Sequence, residues 1–220
     1  MTRTTVHLAV YDDFADWEPG YATSQLTQHG YTVRTVGLTT DPVTTMGGLR
    51  IQPDLSLDEL TPEAVADSAL LLLTGSTRWD TGDDLAPFAA TARDFLASGV
   101  PVAAICGATL GLAREGLLDD RDHTSAVSYY LAASGYRGGD HYREADAVTD
   151  GDLITAGPTE PIAFAREVFA RLGVYEGKKL DAWYRLFHDS DASAYAVLEG
   201  LDGREGREGT DEGSTGADAS

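Results

Sequence analysis

The chain has 220 residues, of which 36 are acidic and 16 are lysine or arginine, and its formal net charge is -20. A balance this acidic argues against nucleic acids and anionic membranes as partners, so we expect a small-molecule substrate. No apolar run reaches 18 residues, the first residues lack a signal-peptide pattern, and the single cysteine excludes an intrachain disulfide, so we expect a cytoplasmic protein.

The acidic residues are spread over the whole chain, and only Lys178 and Lys179 are lysines. This combination of few lysines and many carboxylates is typical of halophilic proteins, and we favour that interpretation. The alternative is an ordinary acidic cytosolic protein with an acidic tail.

The first half of the chain alternates short apolar runs with segments of helical periodicity. Glycines and prolines divide these segments, and Gly30 follows the first helix as a C-terminal cap. The pattern predicts strands over 5–11, 31–37 and 69–73, helices over 17–29 and 81–98, a small hairpin or turn over 44–53, and a short crossover over 57–67.

The single cysteine lies where a buried strand turns into a helix. Residues 100–105 form an uncharged apolar run, Cys106 follows at once, and Gly107-Ala108-Thr109 opens a helical pattern. This layout parallels the nucleophile elbow of hydrolases, with cysteine in place of serine. A helix N-terminus favours an anion, so we expect Cys106 to be a thiolate at neutral pH.

The second half continues the alternation as far as residue 201. It predicts a strand over 122–127, strands over 145–149 and 153–156 around an Asp150-Gly151 turn, and helices over 128–134, 159–172, 180–188 and 192–201. This order indicates an α/β fold with a mostly parallel sheet and helices on both faces. Residues 202–220 hold no apolar side chain larger than alanine, so we expect an acidic disordered tail there.

Several segments of the chain together resemble one known superfamily. AAICGATLGLAREGLLDDRDHTS is similar to the nucleophile segment of the ThiJ/PfpI superfamily, the class I glutamine-amidotransferase-like proteins. The similarity runs from about Val6 to about Tyr195, and it is greatest to proteins labelled "type 1 glutamine amidotransferase". It implies a flavodoxin-like three-layer sandwich that forms a single domain over residues 1–201. The other matching segments are LAVYDDFADWEPGYATSQL, LLLLTGS and VTDGDLITAGPTEPIAFAREVFARLGVY.

The resemblance also implies roles for side chains at three neighbouring strand ends. Cys106 matches the nucleophile, and Glu18 matches a glutamate that the superfamily places in contact with it. Gly75 and Ser76 match imperfectly a turn whose backbone N–H groups contribute to an oxyanion hole, together with the N–H of Gly107. A protonated carboxyl beside sulfur can donate a hydrogen bond to a thiolate.

The identity of a general base stays open in the sequence. His123 is the nearest histidine to the tip of the strand after Cys106, and we assign it the role of general base. The alternatives are His141 or no histidine. Trp17 and Trp79 lie near strand ends and are expected to wall the pocket. The dispersed histidines and single cysteine show no metal-ligand spacing, so we expect neither a metal nor another cofactor.

Two functions follow from these residues. The first is a cysteine-nucleophile enzyme that acts on a small carbonyl or amide substrate, as the resemblance to hydrolases, glyoxalases and deglycases implies. Glutaminase activity is not expected, because the elbow lacks a glutamine and the chain has no His-x-Glu pair. The second is a non-catalytic redox or stress-response protein that senses oxidants through Cys106. The sequence is compatible with a homodimer but does not determine the oligomeric state.

Overall fold

The computed structural model describes residues 3–201. The described residues separate into two compact units, residues 3–174 and 175–201. The single domain over residues 1–201 therefore stays a prediction. The expected tail lies outside the described residues.

The first unit is built on a seven-stranded sheet with the order β5-β2-β1-β6-β7-β9-β8. All neighbouring strands in it are parallel except β8 and β9, which form an antiparallel hairpin around the expected Asp150-Gly151 turn. A separate small hairpin joins β3 to β4, as predicted. The strands are β1 Thr5–Ala9, β2 Thr32–Gly37, β3 Val43–Thr44, β4 Arg50–Ile51, β5 Leu55–Ser56, β6 Ser68–Leu73, β7 Val102–Ile105, β8 Ala147–Asp150 and β9 Leu153–Ala156.

Helices cover the sheet in two groups. In the first unit α1 packs against α6, whereas α3 packs against α2 and α4, and these groups form the outer layers of the predicted three-layer α/β sandwich. They are α1 Gly20–Gln28, α2 Pro62–Ala66, α3 Ala86–Ala97, α4 Ala108–Arg114, α5 Ser128–Ala132 and α6 Pro161–Leu172. The second unit contains α7 Gly177–His188 and α8 Tyr195–Leu198.

The central strands carry no polar face because both of their faces are covered. Every residue of β6, β7 and β9 is buried. Continuous apolar runs of this kind are what a parallel sheet between two helical layers requires. The same feature made β6 and β7 recognisable in the sequence.

One predicted strand is wrong, and several predicted helix starts are displaced, among them those of α1 and α3. Residues 122–127 form only an isolated bridge between His123 and Tyr142, because the Thr124 N–H donates to the side-chain hydroxyl of Thr155 in β9 and not to a backbone carbonyl of that strand. Helix α1 begins at Gly20 and not at residue 17, and α3 begins at Ala86 and not at residue 81. In both cases turn residues precede the first helical residue. Within residues 3–201, no helix has the length and hydropathy that a membrane span needs.

Candidate active site

Cys106 lies in a strained turn at the carboxyl end of β7. Its φ of 60° falls in the left-handed region, which non-glycine residues adopt at a cost of about 1–3 kcal/mol. The Cys106 N–H donates to the Ala156 carbonyl at 3.0 Å, which continues the sheet. The Cys106 carbonyl accepts the Thr109 hydroxyl at 2.6 Å and the Thr109 N–H at 3.1 Å at the start of α4. The strand and the helix together therefore hold the predicted elbow in place.

Glu18 lies in the turn between β1 and α1 and is fully buried. Its Oε2 accepts the Gly75 N–H at 2.6 Å. The Ala15 N–H donates to the Gly75 carbonyl at 2.8 Å, so the turn is tied to Gly75 in both directions. These bonds fix the carboxyl group at the end of β6, beside the end of β7.

The Cys106 sulfur and the Glu18 carboxyl meet next to Gly75. A β-carbon built on Gly75 would stand 2.7 Å from the Cys106 Sγ and 3.0 Å from the Glu18 Oε1. Only glycine leaves room for the two groups to approach. Glu18 Oε1 is buried and has no partner of normal hydrogen-bond geometry among the described protein atoms, so it is the oxygen that faces the sulfur.

Burial dominates the ionisation of this pair. It raises the pKa of Glu18 to about 7, against the lowering effects of the Gly75 N–H and of the Cys106 thiol. It also raises the pKa of Cys106 to about 12, and the negative charge of Glu18 adds to this increase. The direction at Cys106 is opposite to the thiolate we predicted from the helix N-terminus. The Cys106 thiol therefore keeps its proton near neutral pH, and Glu18 is the group of the pair that titrates there.

The pair opens into a cavity of about 310 Å³. Most of its lining is apolar, and among residues 3–201 the acidic lining residues are Glu18 and Asp80, with no lysine, arginine or histidine in the lining. Such a site suits a small molecule without negative charge. The lining residues are Ala15, Trp17, Glu18, Met46, Gly75, Ser76, Thr77, Asp80, Cys106, Gly107, Ala126, Tyr130 and Pro158.

Two of the side chains that line the cavity are apolar and exposed to solvent. Trp17 is 51% exposed and Met46 is 41% exposed. The Met46 N–H donates to the Phe14 carbonyl at 2.9 Å, and the Thr45 hydroxyl donates to Asp16 at 2.5 Å, so the β3–β4 loop is anchored to the turn that carries Glu18. The expectation that Trp17 walls the pocket agrees with this geometry.

A carboxylate held by a tyrosine also lines the cavity. The Tyr130 hydroxyl of α5 donates to Asp80 Oδ1 at 2.7 Å. Burial is the largest cause of the raised pKa of Cys106 and of Tyr130, and the charge of Asp80 adds to both increases. The sequence did not predict that Asp80, Tyr130 and Met46 line the cavity, because no sequence pattern marks a residue as facing a cavity.

The expected oxyanion hole is only partly available. The Gly75 N–H donates to Glu18, so it is already engaged and is not a free donor. Ser76 and Gly107 both line the cavity beside Cys106. The Gly107 N–H is close enough to the sulfur to lower the pKa of Cys106. Gly75 instead leaves room for the Glu18 carboxyl and donates a hydrogen bond to it.

The assignment of His123 as the base does not fit the geometry. His123 is fully buried away from the cavity, where Nδ1 lies 2.7 Å from the Arg121 carbonyl and Nε2 lies 3.2 Å from the Tyr136 hydroxyl. Both ring nitrogens are therefore occupied. His141 bonds to Asp122 at 3.2 Å and does not line the cavity either. The sequence placed His123 near the tip of a strand over 122–127, but those residues do not join the sheet.

Trp79 also lies behind the site and not on its wall. Its side chain is buried, and its Nε1 donates to the Thr74 carbonyl at 2.9 Å and to the Tyr11 hydroxyl at 3.1 Å. The ring fills the space beside Gly107 and Gly111 of the elbow helix. Its role in the structure is to support the ends of β1 and β6.

Comparison with known proteins agrees with this architecture. The model of the DJ-1/PfpI family matches residues 4–171. A Bacillus subtilis (strain 168) protein named "uncharacterized protease YoaZ" is 39% identical over 197 residues, which cover 84% of this chain and 91% of YoaZ.

Two solved structures are similar over most of their length. A ThiJ/PfpI family protein from Bacillus anthracis is 36% identical, with a TM-score of 0.83 over 90% of this chain and 96% of that chain. The DJ-1 superfamily protein Atu0886 from Agrobacterium tumefaciens is 34% identical, with a TM-score of 0.75 over 85% of this chain and 98% of that chain.

Proposed function

This chain belongs to the DJ-1/PfpI family, and we propose that it is an enzyme whose Cys106 sulfur attacks the carbonyl carbon of a small aldehyde, ketone or amide. The observation that carries the proposal is the meeting of the Cys106 sulfur and the buried Glu18 carboxyl at an open cavity. A sulfur nucleophile beside an acid–base group of pKa about 7 is suited to covalent catalysis near neutral pH.

Glu18 serves as the base because no histidine lines the cavity. Its carboxylate accepts the Cys106 thiol proton while the sulfur forms a bond to the carbonyl carbon and the C=O π electrons move onto oxygen. The N–H groups of Ser76 and Gly107 are the candidate donors to that oxygen. Glu18 then returns its proton, either to the oxygen of a thiohemiacetal or to the nitrogen that leaves an amide. In the second case water hydrolyses the thioester and restores the thiol.

The cavity limits the substrate by size and charge. A volume of about 310 Å³ admits a small molecule or a single side chain. The carboxylates of Glu18 and Asp80 disfavour an anionic substrate, because no described residue of the lining carries a positive charge. The protease name given to YoaZ fits a hydrolytic variant of this chemistry. A true glutaminase is not supported, because the elbow lacks the glutamine of that class.

The test is the turnover of a panel containing an α-oxoaldehyde, a neutral anilide and glutamine. We expect Cys106→Ala to abolish turnover of a carbonyl or amide compound, and Glu18→Gln to lower kcat by roughly 10²–10⁴-fold. His141→Gln, outside the cavity, is the control and should keep the wild-type rate. Turnover that survives in Cys106→Ala would refute the proposal, as would a folded wild type that turns over nothing in the panel. Glutamine hydrolysis lost in Cys106→Ala would refute the exclusion of glutaminase activity.

The lack of a histidine in the cavity lining also favours the second candidate, a sensor in which Cys106 is oxidised by peroxide. In that case mass spectrometry would show added oxygen on Cys106 after peroxide treatment, with no turnover of the panel. Turnover of a panel compound without such oxidation would favour the enzyme.

A further inference from the structure

One peptide group links two buried aromatic residues to Glu18. The carbonyl of the Thr74–Gly75 peptide accepts a hydrogen bond from the Tyr11 hydroxyl and a second one from Trp79 Nε1 at 2.9 Å. The N–H of the same peptide donates to Glu18 Oε2 at 2.6 Å. Both ends of one amide are therefore hydrogen-bonded to buried side chains.

The two aromatic side chains are fixed in place for this contact. Tyr11 is 3% exposed and Trp79 is 2% exposed. Their rings pack edge to face with centroids 5.8 Å apart, and Trp79 Nε1 also lies 3.1 Å from the Tyr11 hydroxyl. The Trp79 ring rests against Gly111, where any side chain would overlap it. Neither residue lines the cavity, so neither contacts a substrate directly.

We infer that Tyr11 and Trp79 are positioning residues that act on Glu18 through the Thr74–Gly75 peptide group. Two donors on an amide carbonyl draw electron density towards oxygen and make the N–H of that amide a stronger donor. They also stop the peptide from rotating, which keeps the N–H directed at the carboxylate. The proposal deepens the function proposed above, because Glu18 is the base in that function.

The consequence is a change in the acidity of Glu18. The Gly75 N–H stabilises the charged carboxylate and lowers the pKa of Glu18 against the effect of burial. A weaker N–H donor therefore leaves that pKa higher. The other titratable groups near Glu18 are Cys106 after β7, Tyr11 after β1, and Asp80 and Tyr130 in the cavity lining.

The test is a pH titration of the Gly75 amide followed by ¹H–¹⁵N NMR in wild type and in Tyr11→Phe. The phenylalanine keeps the ring packing and leaves Trp79 bonded to the carbonyl, so the variant is expected to fold. We expect the Gly75 amide proton to move upfield and the midpoint of its titration to rise by roughly 0.2–0.6 pH unit. Glu18→Gln should abolish the titration, which identifies its source.

Tyr31→Phe is the matched control. The Tyr31 hydroxyl also donates to a backbone carbonyl, that of Leu172 at 3.1 Å, and Tyr31 does not line the cavity. A merely structural role of tyrosine hydroxyls would lower the melting temperature of both variants and move the Gly75 titration in neither. Identical titrations in wild type and folded Tyr11→Phe would overturn the inference. If Tyr11→Phe does not fold, Trp79→Phe, which removes the other donor, gives the same comparison.

The measurement needs no substrate. If the turnover test fails but the Gly75 midpoint rises in Tyr11→Phe, the positioning role stands and the enzymatic function is rejected. If turnover depends on Cys106 while the midpoint is unchanged, the enzyme stands and the positioning role is rejected.

Discussion

At the scale of single residues, the fold keeps one carboxyl group away from water at a cost to its own stability. Glu18 is fully buried, and burial raises its pKa from 4.5 to about 7. Between these values the native state binds more protons than the unfolded chain, so the free energy of unfolding falls as the pH rises through this window. Above pH 7 the full cost is present, roughly 3 kcal/mol for a shift of this size.

Glu18→Gln is therefore expected to stabilise the protein at high pH. The amide keeps an oxygen that accepts the Gly75 N–H and carries no charge. We expect the variant to melt at nearly the wild-type temperature at pH 4.5 and several degrees higher at pH 8. Thermal melts at both values of pH check this, with the exposed Glu144→Gln as control. Equal melting temperatures of wild type and Glu18→Gln at pH 8 would mean that the carboxylate is not penalised by burial.

The charge around Cys106 also predicts which reagents reach its sulfur. Glu18 and Asp80 line the cavity, and no basic residue within 3–201 does, so an anionic reagent meets repulsion of about 1 kcal/mol, or roughly five-fold in rate. We therefore compare the rate of alkylation by neutral iodoacetamide with the rate by anionic iodoacetate. We expect the ratio of these two rates to be roughly five-fold higher at Cys106 than in a peptide with a free cysteine. Asp80→Asn should lower this rate ratio towards that of the peptide, whereas Asp94→Asn, at an exposed position, should leave it unchanged. An unchanged ratio in Asp80→Asn would remove Asp80 from substrate selection.

At the scale of secondary-structure elements, α4 is shaped by what packs against it. This helix opens directly after Cys106, and all but its last residue are buried. Gly111 in its middle costs helix stability, but the Trp79 ring occupies the place of a β-carbon there. The glycine allows the tryptophan to reach the Thr74 carbonyl.

Gly111→Ala tests this packing because two effects on stability oppose each other. Helix propensity alone would stabilise the variant by about 1 kcal/mol. Overpacking against Trp79 is expected to outweigh it, with a net loss of about 1–3 kcal/mol in the free energy of unfolding. Urea denaturation measures the difference. Gly20→Ala at the start of α1, where no atom lies within 4 Å of the new β-carbon, is the control and should cost little. A stabilised Gly111→Ala would show that Trp79 moves aside freely.

At the scale of the whole molecule, the excess of acidic side chains dominates the electrostatics. A formal net charge of -20 on 220 residues creates repulsion that opposes the compact state. Salt shortens the range of this repulsion, from about 10 Å at 0.1 M to about 3 Å at 1 M. The halophilic character that we predict from composition depends on this balance.

We expect the melting temperature to rise with KCl from 0.05 M to molar concentrations. Most of the gain should appear below about 1 M, where the screening length changes most. Thermal melts over a KCl series measure it. A flat or falling series would contradict the halophilic interpretation and leave an ordinary acidic protein.

The amino-acid sequence by itself determined the parts of this protein that depend on local patterns. The buried runs of β6 and β7 were visible because a strand covered on both faces needs apolar residues throughout. The elbow at Cys106 was visible because small residues must surround a tight turn. The motif around Glu18 came from the family resemblance, and the structure places its carboxyl beside the sulfur.

Only the tertiary structure decided what stands around the sulfur. His123 is turned away because residues 122–127 satisfy their hydrogen bonds with side chains and loops, which no local pattern reveals. The Gly75 N–H is taken by a carboxylate 57 positions away in the chain, and Asp80 reaches Tyr130 across 50 positions. Contacts over such distances depend on how the strands and helices pack, because that packing sets which buried donors and acceptors meet.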